Sequence, residues 1–201
     1  MIAPMTYDIL LALVAFAFVT SVTPGPNNLM LMASGVNFGF RRSLPHMLGV
    51  ALGFTAMVLI VGLGLAGLFR ADPRAVLVLK VVSVAYMLWL AWKIAHSAAP
   101  KQGKAGGRPL SFVQAAGFQW VNPKAWAMAL TATSIYAPDQ DIAAMVLVAA
   151  VFGAVNLPSV AVWVAAGQGL RRFLTRPGRL HLFNWTMAIL LVASLYPVLE
   201  M

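Results

Sequence analysis

Thr23-Pro24-Gly25-Pro26-Asn27-Asn28 sits inside an apolar run that covers about 7–32. A proline inside a helix costs about 3 kcal/mol and a glycine about 1 kcal/mol. Pro24 and Pro26 also remove helical donors from the carbonyls of Thr20 and Val22, four residues upstream. Two prolines around a glycine disrupt more than a kink needs, so the stretch predicts a true break. Asn27 or Asn28 is expected to cap the helix that resumes. A second break is predicted at Trp120-Val-Asn-Pro-Lys-Ala-Trp126, inside the run 112–135. There Pro123 frees the Gln119 carbonyl, and Asn122 before it is biased away from helical geometry.

The setting of these breaks follows from composition. The chain has 201 residues, 61% of them hydrophobic, with only 14 basic and five acidic side chains. So few charges cannot cover a soluble fold, where about a quarter of residues are charged. A soluble domain, a disordered chain and a fibrous repeat are excluded, and an all-α integral membrane protein is expected. Apolar runs at about 7–32, 44–69, 76–95, 112–135, 142–169 and 181–199 predict six transmembrane helices, since about 20 apolar residues cross a bilayer. Six spans leave no room for another domain, so residues 1–201 form one transmembrane unit. The first run lacks a basic flank and is expected to be retained rather than cleaved.

The two breaks fall in corresponding helices. Each interrupts the first helix of a three-helix half, Pro24 and Pro123 lying 99 residues apart. With three helices per half, the halves enter the membrane in opposite senses. Repeat one is expected over about 1–97, a basic loop over about 98–110 and repeat two over about 111–201. Paired interruptions in inverted repeats point to a transporter with its site at the breaks, because irregular backbone at membrane depth is tolerated only inside protein or along a wet cavity. The candidate substrate-binding residues are Thr23, Pro24, Gly25, Pro26, Asn27, Asn28, Asn122, Pro123 and Lys124. Asn156 and Pro158, at a third interruption in helix 5, complete the set. A charge such as Lys124 near the bilayer centre costs at least about 2.5 kcal/mol, and no Asp or Glu lies in the interior of an apolar run to offset it, since Asp8, Asp72, Asp139, Asp141 and Glu200 all fall near ends or in loops. Packing kinks at the prolines and snorkelling of Lys124 to an interface are the structural alternatives.

Charge orients the chain. Ten Lys and Arg flank the ends of helices 1, 3 and 5, against three after helices 2 and 4. The positive-inside rule places the first set in the cytoplasm and both termini outside. The net charge of +9 is thereby explained without nucleic acid. The absence of Cys excludes thiolate metal sites and disulfides, and the three His lack metal-ligand spacing, so neither metal nor cofactor is expected. His46 reads as an interface residue or as a group that changes charge near neutral pH. Gly49, Gly53, Gly62, Gly64 and Gly67 are expected to admit close helix contact, and Trp89, Trp92, Trp163 and Trp185 to anchor interfaces or fill packing. No catalytic constellation is present, so an enzyme is not expected. A small channel and an intramembrane enzyme are the alternatives to a transporter.

At Thr23 to Asn28 and Asn122-Pro-Lys124 the chain resembles the LysE/RhtB family of bacterial amino-acid exporters. The likeness extends to Gly39-Phe-Arg-Arg-Ser43, Ala85-Tyr-Met-Leu-Trp-Leu-Ala-Trp-Lys93 and Asn156-Leu-Pro-Ser159. Helices 1 to 3 are most similar to the cysteine/O-acetylserine exporters of that family. The resemblance implies export of amino acids or close derivatives across the inner membrane, with protons as the coupling ion. The oligomeric state is left open, a homodimer included. A zwitterion suits the residues: Lys124 and helix N-termini for its carboxylate, freed carbonyls and Asn oxygens for its ammonium. A cationic side chain would meet Lys124 with no acidic partner, so neutral amino acids are expected.

Overall fold

The structure, a computed structural model, describes residues 6–65, 73–97, 107–138 and 141–196. These residues are helical throughout, with short turns and no strand. Helix α1 (Tyr7–Val22) starts at Thr6, whose hydroxyl accepts from the Ile9 N–H. It is followed by α2 (Pro26–Phe38), bent away by 55° at the first break. Next come α3 (Phe40–Ile60), extended by a π-type turn over Val61–Leu65, and α4 (Pro73–Ala95). The second half holds α5 (Phe112–Phe118), a 3₁₀ turn (Gln119–Val121), α6 (Pro123–Tyr136), α7 (Ile142–Arg171) and α8 (Pro177–Ala193).

Both predicted breaks are present. Three segments, Phe40–Gly64, Leu77–Ala95 and Ile142–Arg171, are each long and apolar enough to cross a bilayer, and α1 with α2 does so as a bent pair. At 14 and 17 residues, α6 and α8 fall short of a straight span. The third helix of the chain does not begin at residue 44 as hydropathy suggests. It begins at Phe40, and Gly39 alone (φ +80°) separates it from α2. Arg41 and Arg42 therefore occupy a first helical turn rather than a loop, with their side chains exposed.

Large apolar side chains cover the outside, and a set of polar side chains is buried within an otherwise apolar core. Leu11, Phe18, Val81, Trp92, Val162 and Ile189 are exposed, whereas Asn28, Asn37, His46, Gln119, Asn122, Asn156 and Asn184 are buried. That distribution fits a lipid-facing surface, since the helices are apolar on every side. Helices α1 and α2 pack on α7, α3 packs on α7 and α5, and α4 packs on α8. Glycines set the closest approaches. A Cβ at Gly35 would collide with the Val164 carbonyl, and one at Gly167 with that of Met32, locking α2 to α7. Gly49 and Gly53 bring α3 equally close to α5, as expected. Gly64 is different: it has φ +116° and open space where a side chain would stand, so it permits the π-type turn rather than a close contact. Gly67 lies outside the described residues, as does the basic segment 98–106.

Basic residues gather at one end of the bundle. Arg42 donates to the Gly107 carbonyl at 3.3 Å, and the Phe40 N–H donates to Gln168 Oε1 at 2.5 Å. The flanks of α2, α5 and the C-terminus of α7, which carries Arg171, therefore meet there.

Candidate functional site at two facing helix breaks

The first break is closed at its upstream side by side chains from elsewhere. Helix α1 ends at Val22, and the Thr23 N–H and hydroxyl both donate to the Val19 carbonyl. Gly25 is extended (φ −174°, ψ 178°), and Pro26 opens α2, where its missing N–H costs nothing. Three carbonyls at the end of α1, those of Ser21, Val22 and Thr23, have side-chain donors. Asn28 Nδ2 donates to Ser21 O and to Thr23 O, both at 2.8 Å. Trp163 Nε1 donates to Val22 O at 3.2 Å. The expected cap is thus reversed: Gly25 is the residue before α2, without a side-chain cap bond, and Asn28 reaches back to cap the end of α1. An amide can do this because its NH₂ supplies two donors to two stranded acceptors. Trp163 does more than pack, since it satisfies Val22.

The second break is built around Asn122. Its backbone is extended (φ −95°, ψ 109°), as a residue before proline prefers, and its Oδ1 accepts from the Lys124 N–H at 3.2 Å. The Gln119 carbonyl, freed by Pro123, accepts from the Asn122 N–H at 3.3 Å in the 3₁₀ turn. Pro123 is the first residue of α6.

The two breaks touch. Lys124 Nζ crosses to the first break and donates to Thr23 O at 2.7 Å, with Pro24 O at 3.5 Å. Asn27 and Gln119 exchange amide hydrogen bonds, Nδ2 to Oε1 at 2.8 Å and Nε2 to Oδ1 at 3.2 Å. Asn156 Nδ2 donates to Ser21 Oγ at 3.2 Å, and its buried Oδ1 has no partner. Between these groups lies a small cavity. Its polar lining comes from Thr20, Ser21, Asn27, Asn28, Asn122, Lys124 and Asn156, and its apolar wall includes Phe54, Met128 and Val160. It holds about 20 Å³, room for about one water.

Of the candidates read from sequence, Gly25, Asn27, Asn28, Asn122, Lys124 and Asn156 line this cavity. Thr23 and Pro24 are exposed and contribute carbonyls rather than side chains, and Pro26 and Pro123 set the helix starts. Pro158 stands apart, on the exposed side of α7. Gln119, Ser21 and Trp163 are additional members.

The arrangement concentrates ligand-binding groups. Two helices begin here, so their first N–H groups lack intrahelical acceptors and the dipoles favour an anion. One helix ends here, so its carbonyls favour a cation. The chain matches the family described as LysE type translocator over residues 18–193. It belongs to the LysE family. It is similar to a cysteine/O-acetylserine efflux protein of Klebsiella pneumoniae, 35% identical over 194 residues that cover 94% of this chain and 95% of that one. A protein of the same description from Escherichia coli is 34% identical over 191 residues, covering 94% and 96%. No solved structure matches. The family match and the apolar helices together support a multi-pass inner-membrane protein of the translocator type.

Proposed function

We propose that the chain exports small neutral amino acids or close derivatives, cysteine and O-acetylserine foremost, across the bacterial inner membrane. The observation that carries this reading is the Lys124 ammonium resting on the carbonyls of Thr23 and Pro24. An ammonium already fits that oxygen pair, so the α-amino group of a substrate fits it too. In this account Lys124 is a tethered substitute for the missing ammonium. An arriving zwitterion takes the Thr23 and Pro24 carbonyls, and the released Lys124 turns to its carboxylate beside the N-termini of α2 and α6. The exchange leaves the net charge of the site unchanged. A lysine or arginine substrate would add a second positive charge, and the only acidic residues described, Asp8 and Asp141, lie at helix starts.

Alternating access of two inverted three-helix repeats, with six spans, supplies the motion. Its support is a paired pattern of packing: α1 lies on α7 as α5 lies on α3, while α3 with α7 and α4 with α8 are mutual partners. A two-fold axis in the membrane plane would relate these pairs, although α2 packs on α7 far more extensively than its counterpart α6 does on α3. The end bearing Arg41, Arg42 and Arg171 faces the cytoplasm, with both termini outside.

Protons drive the cycle. The test is uptake of radiolabelled O-acetyl-L-serine into inside-out vesicles containing the chain. A proton gradient should accelerate uptake and a protonophore should abolish the acceleration. Uptake indifferent to the gradient would remove proton coupling, and no uptake of any neutral amino acid would remove the exporter reading.

A further inference from the structure

A second cavity, of about 60 Å³, lies between α2, α3, α4 and the Gly107–Leu110 segment. Its lining includes Ser34, Asn37, His46, Lys93 and Arg108. His46 is 2% exposed, and neither ring nitrogen has a hydrogen-bond partner. Asn37 is equally buried, and its Oδ1 is also unpartnered. The orientation of that amide is dictated by its neighbours. Its NH₂ donates to Ala33 O at 2.8 Å and to Asn184 Oδ1 at 3.1 Å, and Asn184 in turn uses its own NH₂ on Ser97 O at 2.8 Å. Asn37 therefore has no alternative to leaving its oxygen free. Polar groups buried in this way are normally paired, and those left over call for a ligand or water.

The leftover groups have a definite chemistry. Asn37 Oδ1 accepts only, which suits an ammonium. A neutral His46 ring offers one N–H donor and one acceptor. Lys93 and Arg108 stand at the exposed rim, and among the described residues no acidic side chain lines the cavity. The lining thus combines donors and cations with a bare carbonyl oxygen, the groups that the two ends of an amino-acid zwitterion need. The location matches as well. Asn28 of the helix-break site and Asn37 lie nine residues apart on α2, about 13 Å along its axis, with Asn37 toward the arginine-bearing end.

We propose that this cavity is a second amino-acid subsite, occupied by the zwitterion on its way to the helix breaks. The proposal rests on the exporter reading given above. Its test is equilibrium dialysis of the full-length purified chain against radiolabelled O-acetyl-L-serine, L-homoserine and L-threonine in turn. Wild type should bind two equivalents of at least one of them. Lys124→Ala should keep one equivalent, and Lys124→Ala combined with His46→Leu should keep none. Arg108→Ala, at an exposed position, should weaken the equivalent that remains in Lys124→Ala by about tenfold or more, as loss of a charged hydrogen bond does. It also decides the matter should the His46 variant not fold. A single wild-type equivalent that Lys124→Ala abolishes would overturn the second subsite and leave the exporter reading intact. No binding of any of the three probes to wild type would overturn both.

Discussion

Lys124→Ala removes the one group asked to serve both ends of the substrate cycle. Its Nζ donates to Thr23 O at 2.7 Å. A hydrogen bond to a charged group contributes about 1.5–3 kcal/mol. Folding should lose little of this, because Thr23 O keeps Asn28 Nδ2 at 2.8 Å, and because removing a half-buried ammonium relieves a desolvation cost. Stability should therefore change by less than about 1 kcal/mol. Substrate has no second ammonium to turn to, and losing about 1.5–3 kcal/mol there weakens binding by roughly 10- to 150-fold. The assay is counterflow in proteoliposomes preloaded with unlabelled O-acetyl-L-serine, initial rates taken across external concentration. Transport by Lys124→Ala should vanish at concentrations that saturate wild type. Lys124→Arg should restore part of it, since the planar fork replaces a compact ammonium imperfectly. Lys124→Ala transporting within about twofold of wild type, with an unchanged melting temperature, would refute the reasoning.

Three further outcomes follow from the same geometry. Gly25→Ala meets no backbone strain, but its Cβ would stand 2.7 Å from Lys124 Cδ and 3.1 Å from Nζ; the lysine should be pushed aside, with transport sharply reduced and the melting temperature nearly unchanged. Asn28→Ala leaves Ser21 O without its amide donor and should lower stability by about 1–3 kcal/mol, read as a depressed melting temperature in detergent; an unchanged melt would remove Asn28 as the cap of α1. Reporter fusions at Gln102 and Arg176 should report cytoplasm and one at Gln140 the outside, and a cytoplasmic signal at Gln140 would invert the topology.

The breaks were legible because proline acts locally: Pro24, Pro26 and Pro123 each forbid a specific hydrogen bond whatever surrounds them. What satisfies the stranded groups was not legible. Trp163 reaches Val22 from 141 residues away, and Gln119 reaches Asn27 from 92. No short-range pattern marks such pairs. Asn28 was found, but its direction was not, because a cap for the helix ahead and a cap for the helix behind use the same amide. The start of α3 was displaced because Arg41 and Arg42 lower hydropathy although they occupy a helical turn. Asn37 carries no signal beside the apolar runs, and His46 reads from sequence as an interface or titrating residue, whereas the structure buries it without a partner. In lipid the helices are apolar on their exposed faces as well, so hydropathy does not tell inside from outside, and burial of His46 became visible only once α3 was packed.

The most direct measurement is counterflow of a full amino-acid panel in proteoliposomes containing the purified wild-type chain. One compact ammonium position and one cationic partner, Lys124, define the site, and the acidic side chains among the described residues, Asp8 and Asp141, stand only at helix starts. The expected result is saturable exchange of cysteine, O-acetylserine, homoserine or threonine, with bulky neutral amino acids slower and lysine and arginine at background. Lysine or arginine exchanging faster than every neutral amino acid would contradict it.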